Sequence, residues 1–235
     1  MIKVVAFDLD GTLTQHKTKL APENRAVVEK LSEKYKLLML GAGTCRRIFN
    51  QMDFPIDIIG NYGMQYAKYN PGTKSIDIVR DETLPVDKDT IEKKVATLRR
   101  KYAFTEFAGD SVEYHSSGCI TFPILGTKAK QEDKLAFDPD RSKRRKIYED
   151  VVNTFPDYVV FIGGSSSFDM APKPYNKAYA LDLYCKENKI NHDEVVYVGD
   201  DYGPGGNDES VFKEDFVSIE IDDYKTFPER VQFLL

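Results

Sequence analysis

The sequence has no tryptophan, only three cysteines and no long apolar run. The cysteines, at positions 45, 119 and 185, are odd in number and far apart, which favours neither a disulfide framework nor a CxxC metal site. No apolar stretch approaches the roughly 18 to 20 residues that a membrane-spanning helix needs. The opening residues MIKVVAFDLDGT also lack the longer apolar region and cleavage site of a signal peptide. These absences predict a protein of the reducing cytoplasm with no membrane partner.

An excess of positive charge is also missing. The chain of 235 residues has 33 lysines and arginines against 38 aspartates and glutamates, a formal net charge of −5. This balance argues against a nucleic-acid partner. The one basic run, Arg141 to Lys146, begins a predicted helix with acidic neighbours and no interleaved aromatics, and is interpreted as a solvated helix face. Hydrophobic residues make up 41% of the chain, enough for a sizeable core.

Both ends of the chain have the pattern of an α/β core. Ile2 to Phe7, Leu37 to Leu40 and Ile56 to Ile59 are short, nearly continuous apolar runs, as expected of strands buried on both faces. Pro22 opens a helical pattern between the first two runs. A helix near 176–188 and a strand near 194–198 continue the alternation. The fold class predicted is α/β, with a doubly wound parallel sheet.

The middle of the chain has a different pattern. Two strand-like stretches, 64–69 and 75–79, flank the turn signal Asn70-Pro71-Gly72. Helices are then predicted at 87–101 and 141–153, and extended segments at 111–115, 119–124 and 158–162. This mixture indicates an inserted α+β cap domain at residues 82–172. The core domain is predicted to comprise residues 1–81 and 173–235.

Two carboxylates, Asp8 and Asp10, leave the first predicted strand and are followed by Gly11. In a doubly wound sheet, ligands bind beyond the carboxyl ends of the strands, where two such carboxylates can converge on one cation. A surface turn is one alternative, because Asp and Gly are common in turns. An EF-hand calcium loop is another, but it fails on spacing, because it would need an acid or amide at Thr12 and a glutamate at Lys19.

Three further segments carry candidate site residues. Gly43 and Thr44 follow the second core strand and offer amides and a hydroxyl to a phosphate oxygen at a helix start, although Thr44 also suits a helix N-cap. Lys177 lies at the start of the helix near 176–188. Asp200 ends a buried strand, and a glycine-rich loop leads from it to Asn207 and Asp208.

As a set, these motifs resemble the four motifs of the haloacid dehalogenase (HAD) superfamily, in its branch with an α+β cap inserted between the second and third motifs. Within it, the chain is similar to the eukaryotic-type phosphomannomutases. The segments that carry the similarity are FDLDGTLT at 7–14, GGSSSFDMAPKPYNKAYAL at 163–181 and GDDYGPGGND at 199–208.

The resemblance implies a phosphoryl-transfer site. Asp8 is expected to be the nucleophile and Asp10 the general acid and base. Thr44 and Lys177 are expected to hold the transferring group. The expected cofactor is Mg²⁺, and its expected ligands are the Asp8 carboxylate, the Asp10 backbone carbonyl, Asp200, and Asn207 or Asp208.

In the cap, the chain departs from the family pattern. Two arginines that grip the distal phosphate in the family fall at Ser116 and Thr127, and a third falls at Lys134. Ser167 and Asp169 match family positions that contact substrate. His115 and Lys128 lie next to the lost arginines and are candidates to compensate for them.

Arginine binds phosphate through a bidentate fork, so the loss of two arginines favours a phosphatase acting on a small phosphorylated metabolite, such as a sugar phosphate. Phosphomannomutase is the alternative, and a catalytically silent binding protein on the same fold is a third hypothesis. The oligomeric state stays open, with a homodimer as one option.

Overall fold

A computed structural model describes all residues from 1 to 235. The chain forms two compact units. The first comprises Met1–Glu82, Asn176–Gly203 and Asp208–Leu235, and the second comprises Thr83–Tyr175 with Pro204–Asn207. The assignment of residues 82–172 as a cap domain and of 1–81 with 173–235 as its core remains a prediction.

Eleven strands and eight α-helices make up the regular structure. The strands are β1 Val4–Phe7, β2 Lys36–Leu40, β3 Asp57–Gly60, β4 Gln65–Asn70, β5 Ser75–Asp81, β6 Glu113–Tyr114, β7 Ile120–Pro123, β8 Tyr158–Phe161, β9 Ser167–Pro172, β10 Val195–Gly199 and β11 Val217–Glu220. The helices are α1 Pro22–Ser32, α2 Cys45–Met52, α3 Lys88–Lys101, α4 Gln131–Phe137, α5 Ser142–Thr154, α6 Lys177–Asn188, α7 Glu209–Phe212 and α8 Phe227–Arg230. No helix combines the length and the apolar character that a membrane span requires.

A seven-stranded sheet organises the first unit, in the order β11-β10-β1-β2-β3-β4-β5. The strands from β11 to β3 are parallel, and the β4–β5 hairpin is antiparallel at the end of the sheet. Side chains of β1 alternate between the faces: Val5 and Phe7 pack in one core cluster with α1 and α2, whereas Val4 and Ala6 pack in another with α6. Helices therefore cover both faces, and the predicted α/β, doubly wound fold class is confirmed.

The register of the parallel strands brings β1 and β10 to the same sheet edge. Val4 pairs with Val195 and Phe7 with Val198, and the Asp8 amide donates to the Val198 carbonyl at 2.9 Å. The residues that follow these strands, Asp8 and Asp200, therefore leave the sheet side by side. The parallel arrangement, which needs long crossovers, is what unites two parts of the chain nearly 200 residues apart.

The second unit contains a four-stranded antiparallel sheet in the order β6-β7-β9-β8. Its core cluster combines the sheet with α3 and α5 and includes the stacked rings of Phe122 and Phe168. Two arginines, Arg99 and Arg144, are also buried there, with 4% and 1% of their surface exposed.

Five elements are absent from the sequence predictions: α4, α7, α8, β9 and β11, of which α7 and α8 are only four residues long. Helix α4 has no buried residue, so it lacks the apolar periodicity that marks a helix packed on a core. Strand β9 follows a run of glycines and serines that is typical of a loop. Strand β11 is a short edge strand whose first residue, Val217, is 43% exposed.

Candidate active site

Three carboxylates converge at the carboxyl edge of the parallel sheet. One oxygen from each of Asp8, Asp200 and Asp208 lies within 4.8 Å of the others. Asp8 directly follows β1, Asp200 directly follows β10, and Asp208 precedes α7. The burial of Asp8 and Asp208, at 7% and 0% exposed, keeps their charges largely out of water.

Lys177 supplies a cation to this cluster from the first residue of α6. Its Nζ atom donates to Asp8 Oδ1 at 2.5 Å and to Asp208 Oδ1 at 2.6 Å. The side chain of Asn176 caps α6 by accepting from the Tyr179 amide at 2.8 Å, and so sets where the helix begins. Lys177 is itself 1% exposed, which is rare for a lysine unless it is paired.

Asp208 is the anchor of the cluster. Besides Lys177, its Oδ1 atom accepts a short hydrogen bond from the Tyr197 hydroxyl. Its Oδ2 atom accepts from the backbone amides of Asp200 and Asp201, at 3.1 and 2.9 Å. Since both oxygens are engaged by protein donors, Asp208 is better suited to orient Lys177 and the Asp200 backbone than to give an oxygen to a cation.

Burial and mutual repulsion shift the pKa values of the cluster. Burial raises the pKa of Asp8 well above its usual range; Lys177 opposes this rise and Asp208 adds to it. Burial, followed by repulsion from Asp208, raises the pKa of Asp200 to about 7. For Lys177, burial alone would lower the pKa, but the carboxylates of Asp208 and Asp8 outweigh it and raise the pKa.

Asp10 faces α2 rather than the three-carboxylate cluster. Its Oδ1 atom accepts from Gln51 Nε2 at 2.6 Å and from the Lys17 amide at 2.7 Å, and Arg47 lies 3.5 Å from Oδ2. Partial burial would raise the pKa of Asp10, but the hydrogen bonds from Gln51 and Lys17, with the charge of Arg47, lower it. Gln51 and Arg47 were not singled out from the sequence, because only the fold brings α2 to Asp10.

The turn after Asp10 also contacts the Asp200 carboxylate, through Gly11 and Thr12. Gly11 has φ +102°, and a Cβ atom there would lie 2.3 Å from Asp200 Oδ2. The Thr12 hydroxyl, which is fully buried, donates to Asp200 Oδ1 at 2.8 Å. Thr12 belongs to the segment FDLDGTLT at 7–14, but its contact with a residue 188 positions away is visible only in the fold.

Gly43 and Thr44 lie in the loop from β2 to α2. The Thr44 hydroxyl caps α2 by accepting from the Arg47 amide at 3.2 Å. A Cβ atom on Gly43 would lie 2.3 Å from Arg47 Nε, so the absence of a side chain leaves room for Arg47 to reach toward Asp10. The N-cap interpretation of Thr44 is therefore confirmed by geometry, while its contact with phosphate stays a prediction.

The donor set at the sheet edge fits a hard divalent cation. Carboxylate oxygens are the ligands that Mg²⁺ prefers, and a cation would offset the burial and the mutual repulsion that raise the pKa values of Asp8 and Asp200. The close approach of the Gly11 backbone to Asp200 also places backbone atoms of the Asp10–Gly11 turn beside this carboxylate. Asn207, also predicted as a ligand, falls in the segment Pro204–Asn207, which groups with the second unit.

The second unit holds the predicted substrate residues. His115 Nε2 lies 3.1 Å from Thr121 Oγ1, and that hydroxyl donates to Asp169 Oδ1 at 2.9 Å. Burial raises the pKa of Asp169, and the hydrogen bond from Thr121 opposes the rise. The structure thus joins His115 to Asp169 through Thr121 of β7, whose contacts with the residue after β6 and with β9 depend on strand pairing and are not visible in the sequence.

The other predicted substrate residues of the second unit make separate contacts. The Thr127 hydroxyl accepts from the Asp110 amide at 2.9 Å, and Lys134 Nζ donates to the Thr127 carbonyl at 3.2 Å. Ser116 and Lys128 are exposed, and Ser167 donates to the Gly163 carbonyl at 3.0 Å. Thr127 therefore closes its own loop and does not replace the charge of an arginine.

Comparison with known proteins identifies the family. The profile of the family described as eukaryotic phosphomannomutase matches residues 25–222. Phosphomannomutase of Saccharomyces cerevisiae is 25% identical over 228 residues, which cover 90% of this chain and 85% of that protein. Human phosphomannomutase 1 is 25% identical over 223 residues, covering 88% of this chain and 82% of that protein.

Comparison with solved structures shows the fold. A phosphatase of the haloalkanoate (HAD) enzyme superfamily from Bacteroides thetaiotaomicron superposes with a TM-score of 0.65 at 17% identity, covering 100% of this chain and 95% of that protein. With the family profile matching far more than half of its length, the chain belongs to the eukaryotic phosphomannomutase family, on a HAD-type fold.

Proposed function

We propose that this chain is a phosphomannomutase, which moves a phosphoryl group between two hydroxyls of a hexose phosphate by way of Asp8. The observation that carries the proposal is the buried contact of Lys177 with Asp8, at 2.5 Å, in a chain that belongs to the phosphomannomutase family. This contact supplies an oriented carboxylate with a cation beside it, as a nucleophile for phosphorus requires.

In the first half-reaction, an Asp8 oxygen bonds to phosphorus while the bond from phosphorus to the leaving sugar oxygen breaks. To act as the acid, Asp10 must first leave the Gln51 and Lys17 donors that lower its pKa and take up a proton, which it then gives to that leaving oxygen. In the second, a sugar hydroxyl bonds to the phosphorus of the aspartyl-phosphate, Asp10 takes up the hydroxyl proton, and the bond to Asp8 breaks. The protein thus replaces one difficult displacement by two easier ones.

The remaining core residues hold the reacting side chains in place and offset the negative charge of the phosphoryl group. Lys177 is placed to offset negative charge on the phosphoryl oxygens, and Asp208 fixes Lys177. Gln51 holds Asp10 at 2.6 Å, a contact from which Asp10 must turn if it is to reach the leaving oxygen. Bound Mg²⁺, held by Asp8 and Asp200 with a backbone oxygen of Asp10, would supply further positive charge to the phosphoryl group.

A phosphatase, which the sequence alone favoured, is the second candidate. The family match favours the mutase, since it extends through the cap as well as the core. The observation that still favours hydrolysis is the exposed Ser116 and the loop-bound Thr127, where the family pattern has arginines. His115 and Lys134 are the residues that we propose to bind the distal phosphate in their place, together with Lys128.

The two candidates differ in their product. Mannose 1-phosphate with a hexose bisphosphate activator and Mg²⁺ should give mainly mannose 6-phosphate, measured by ³¹P NMR, with little free phosphate. Asp8→Asn is the control and should give neither product. Free phosphate in large excess over the isomer, absent from the Asp8→Asn control, would instead establish the phosphatase and reject the mutase.

A further inference from the structure

A buried ion pair in the second unit has no part in the proposed chemistry. Arg144 and Asp138 are each 1% exposed, and Arg144 Nε donates to Asp138 Oδ2 at 2.8 Å. The same carboxylate also accepts from the backbone amides of Lys143 and Arg144, at 2.9 and 3.0 Å. Asp138 therefore fixes both the start of α5 and the direction of the guanidinium.

The Nη1 atom of Arg144, which does not contact Asp138, binds the turn formed by residues 163–167. Arg144 Nη1 donates to the carbonyl oxygens of Gly163, Ser167 and Gly164, at 2.7, 3.1 and 3.2 Å. Three carbonyls of one short segment thus share a single buried donor group. A buried guanidinium with its partners in fixed geometry is a rigid support for backbone.

This turn leads into β9, whose residues Ser167 and Asp169 match substrate-contacting positions of the family. The Ser167 hydroxyl donates to the Gly163 carbonyl at 3.0 Å, the same oxygen that Arg144 holds. A Cβ atom on Gly163 would lie only 1.9 Å from Asp169 Oδ2. A shift of Gly163 therefore moves both Ser167 and Asp169.

Asp169 links the 163–167 turn to His115 through Thr121. Its Oδ1 atom accepts from the Thr121 hydroxyl, which lies 3.1 Å from His115 Nε2. The chain of contacts runs from Arg144 through the turn to Asp169 and then to His115. All of these contacts lie within the second unit.

We propose that Arg144, oriented by Asp138, is a positioning residue that sets the Ser167 hydroxyl and the Asp169 carboxylate in place to bind the sugar. This inference rests on the proposed function, since it takes a hexose phosphate as the ligand of that pair. A purely structural role for Arg144 is the competing explanation. It predicts loss of stability without a specific loss of sugar binding.

Arg99 is the matched control for this test. It is also buried in the second unit, at 4% exposed, and its guanidinium donates to the carbonyls of Pro123, Ile124 and Phe104 at 2.7, 2.8 and 3.0 Å. These carbonyls lie outside the turn of residues 163–167. Arg99→Lys and Arg144→Lys both retain a positive charge and lose the planar fork, so they differ mainly in which backbone they release.

The first experiment measures KM and kcat for mannose 1-phosphate, with thermal unfolding of each variant. Arg144→Lys should raise KM by about tenfold and lower kcat by less, because it removes binding rather than chemistry. Gly163→Ala should also raise KM, through its clash with Asp169, while Arg144 stays intact. Arg99→Lys should lower Tm by a similar amount with KM unchanged. Equal rises in KM for both lysine variants, or an unchanged KM in Arg144→Lys and Gly163→Ala, would overturn the proposal.

A second measurement does not depend on turnover. The side-chain carboxyl ¹³C resonance of Asp169, assigned with Asp169→Asn, should shift in Arg144→Lys and Gly163→Ala but not in Arg99→Lys. If the unaltered enzyme does not act on hexose phosphates and these shifts are still seen, the proposed function fails while Arg144 still positions Asp169. If the resonance is unmoved in Arg144→Lys, the positioning role fails, whatever the substrate is.

Discussion

At the scale of single residues, Lys177 balances the buried negative charge of the site. Lys177→Met should leave Asp8 and Asp208 buried without their cation, which in a metal-free protein destabilises the fold by about 3–5 kcal/mol. Turnover should fall by about 10² to 10³, because the positive charge that we propose to offset the phosphoryl oxygens is lost. Urea unfolding in a chelator and steady-state kinetics measure the two effects.

Lys186→Met is the control for this change. Lys186 pairs with Asp182 at 2.6 Å on the exposed surface of α6, where an ion pair contributes little. Both stability and turnover should stay near those of the unaltered enzyme. A Lys177→Met protein as stable as the Lys186→Met protein would contradict the balancing role.

Gly11 is the second residue whose identity the site requires. Its φ of +102° disfavours any side chain, and a Cβ atom would lie 2.3 Å from Asp200 Oδ2. Gly11→Ala should therefore displace the Asp200 carboxylate and weaken both Mg²⁺ binding and turnover. Calorimetric titration with Mg²⁺ measures the effect directly.

Gly72→Ala provides the comparison for Gly11→Ala. Gly72 lies in the exposed turn between β4 and β5, where the nearest atom to an added Cβ is Asn70 Oδ1 at 3.3 Å. This variant should bind Mg²⁺ as the unaltered protein does. Normal Mg²⁺ affinity in Gly11→Ala would show that Asp200 can relax away from the added methyl group.

At the scale of elements, His192 joins α6 to the residues before β11. It lies between Asp182 of α6 and Asp215, and its ring stacks on Phe216 with centroids 3.9 Å apart. Burial would lower the pKa of His192, but hydrogen bonds to Asp215 and Asp182 outweigh it and raise the pKa. The histidinium form is therefore the form that the folded state prefers.

The sign of the pH dependence follows from this raised pKa. The contribution of protonated His192 to the free energy of unfolding is fully present below the unfolded-state pKa of about 6.5. It is lost as pH rises through the higher folded-state pKa. Tm measured from about pH 6 to about pH 9 should therefore fall more in the unaltered protein than in His192→Gln. Parallel Tm curves for the two proteins over this range would contradict the role given to His192.

At the scale of the whole molecule, metal binding should change the stability of the first unit. Without metal, the raised pKa of Asp200, about 7, means that the folded state holds a proton that the unfolded state releases. This contribution to stability is therefore lost as pH rises from about 4 to about 7. A bound cation favours the ionised carboxylates, so the gain in Tm on adding Mg²⁺ should be larger at pH 8 than at pH 5.

The increase in the free energy of unfolding on Mg²⁺ binding follows from mass action. At a Mg²⁺ concentration about 100 times Kd, the free energy of unfolding should rise by about 2.7 kcal/mol. Asp200→Asn should lose this response, whereas Asp77→Asn, in the exposed β4–β5 hairpin, should keep it. A gain in Tm that survives in Asp200→Asn would place the Mg²⁺ at some other site.

Local sequence patterns were enough to predict the fold class and the candidate site residues. Continuous apolar runs predicted the parallel strands β1, β2 and β3, and the turn signal at Asn70 predicted the β4–β5 hairpin, because these patterns depend on local spacing. The motifs also predict Asp8, Lys177 and Asp200 as site residues from residue type and spacing alone. Short or exposed elements such as α4 and β11 were missed, because they carry little periodic burial.

The contacts between these residues, in contrast, follow from the packing of elements that are distant in sequence. Lys177 reaches Asp8 across 169 positions and Thr12 reaches Asp200 across 188, and both contacts depend on the register of parallel strands. The support of Asp10 by Gln51 and of the 163–167 turn by Arg144 arises in the same way. A local pattern specifies an element and its buried face, but the partner of a polar side chain is set by the packing of distant elements, where a buried charge must find its counterpart.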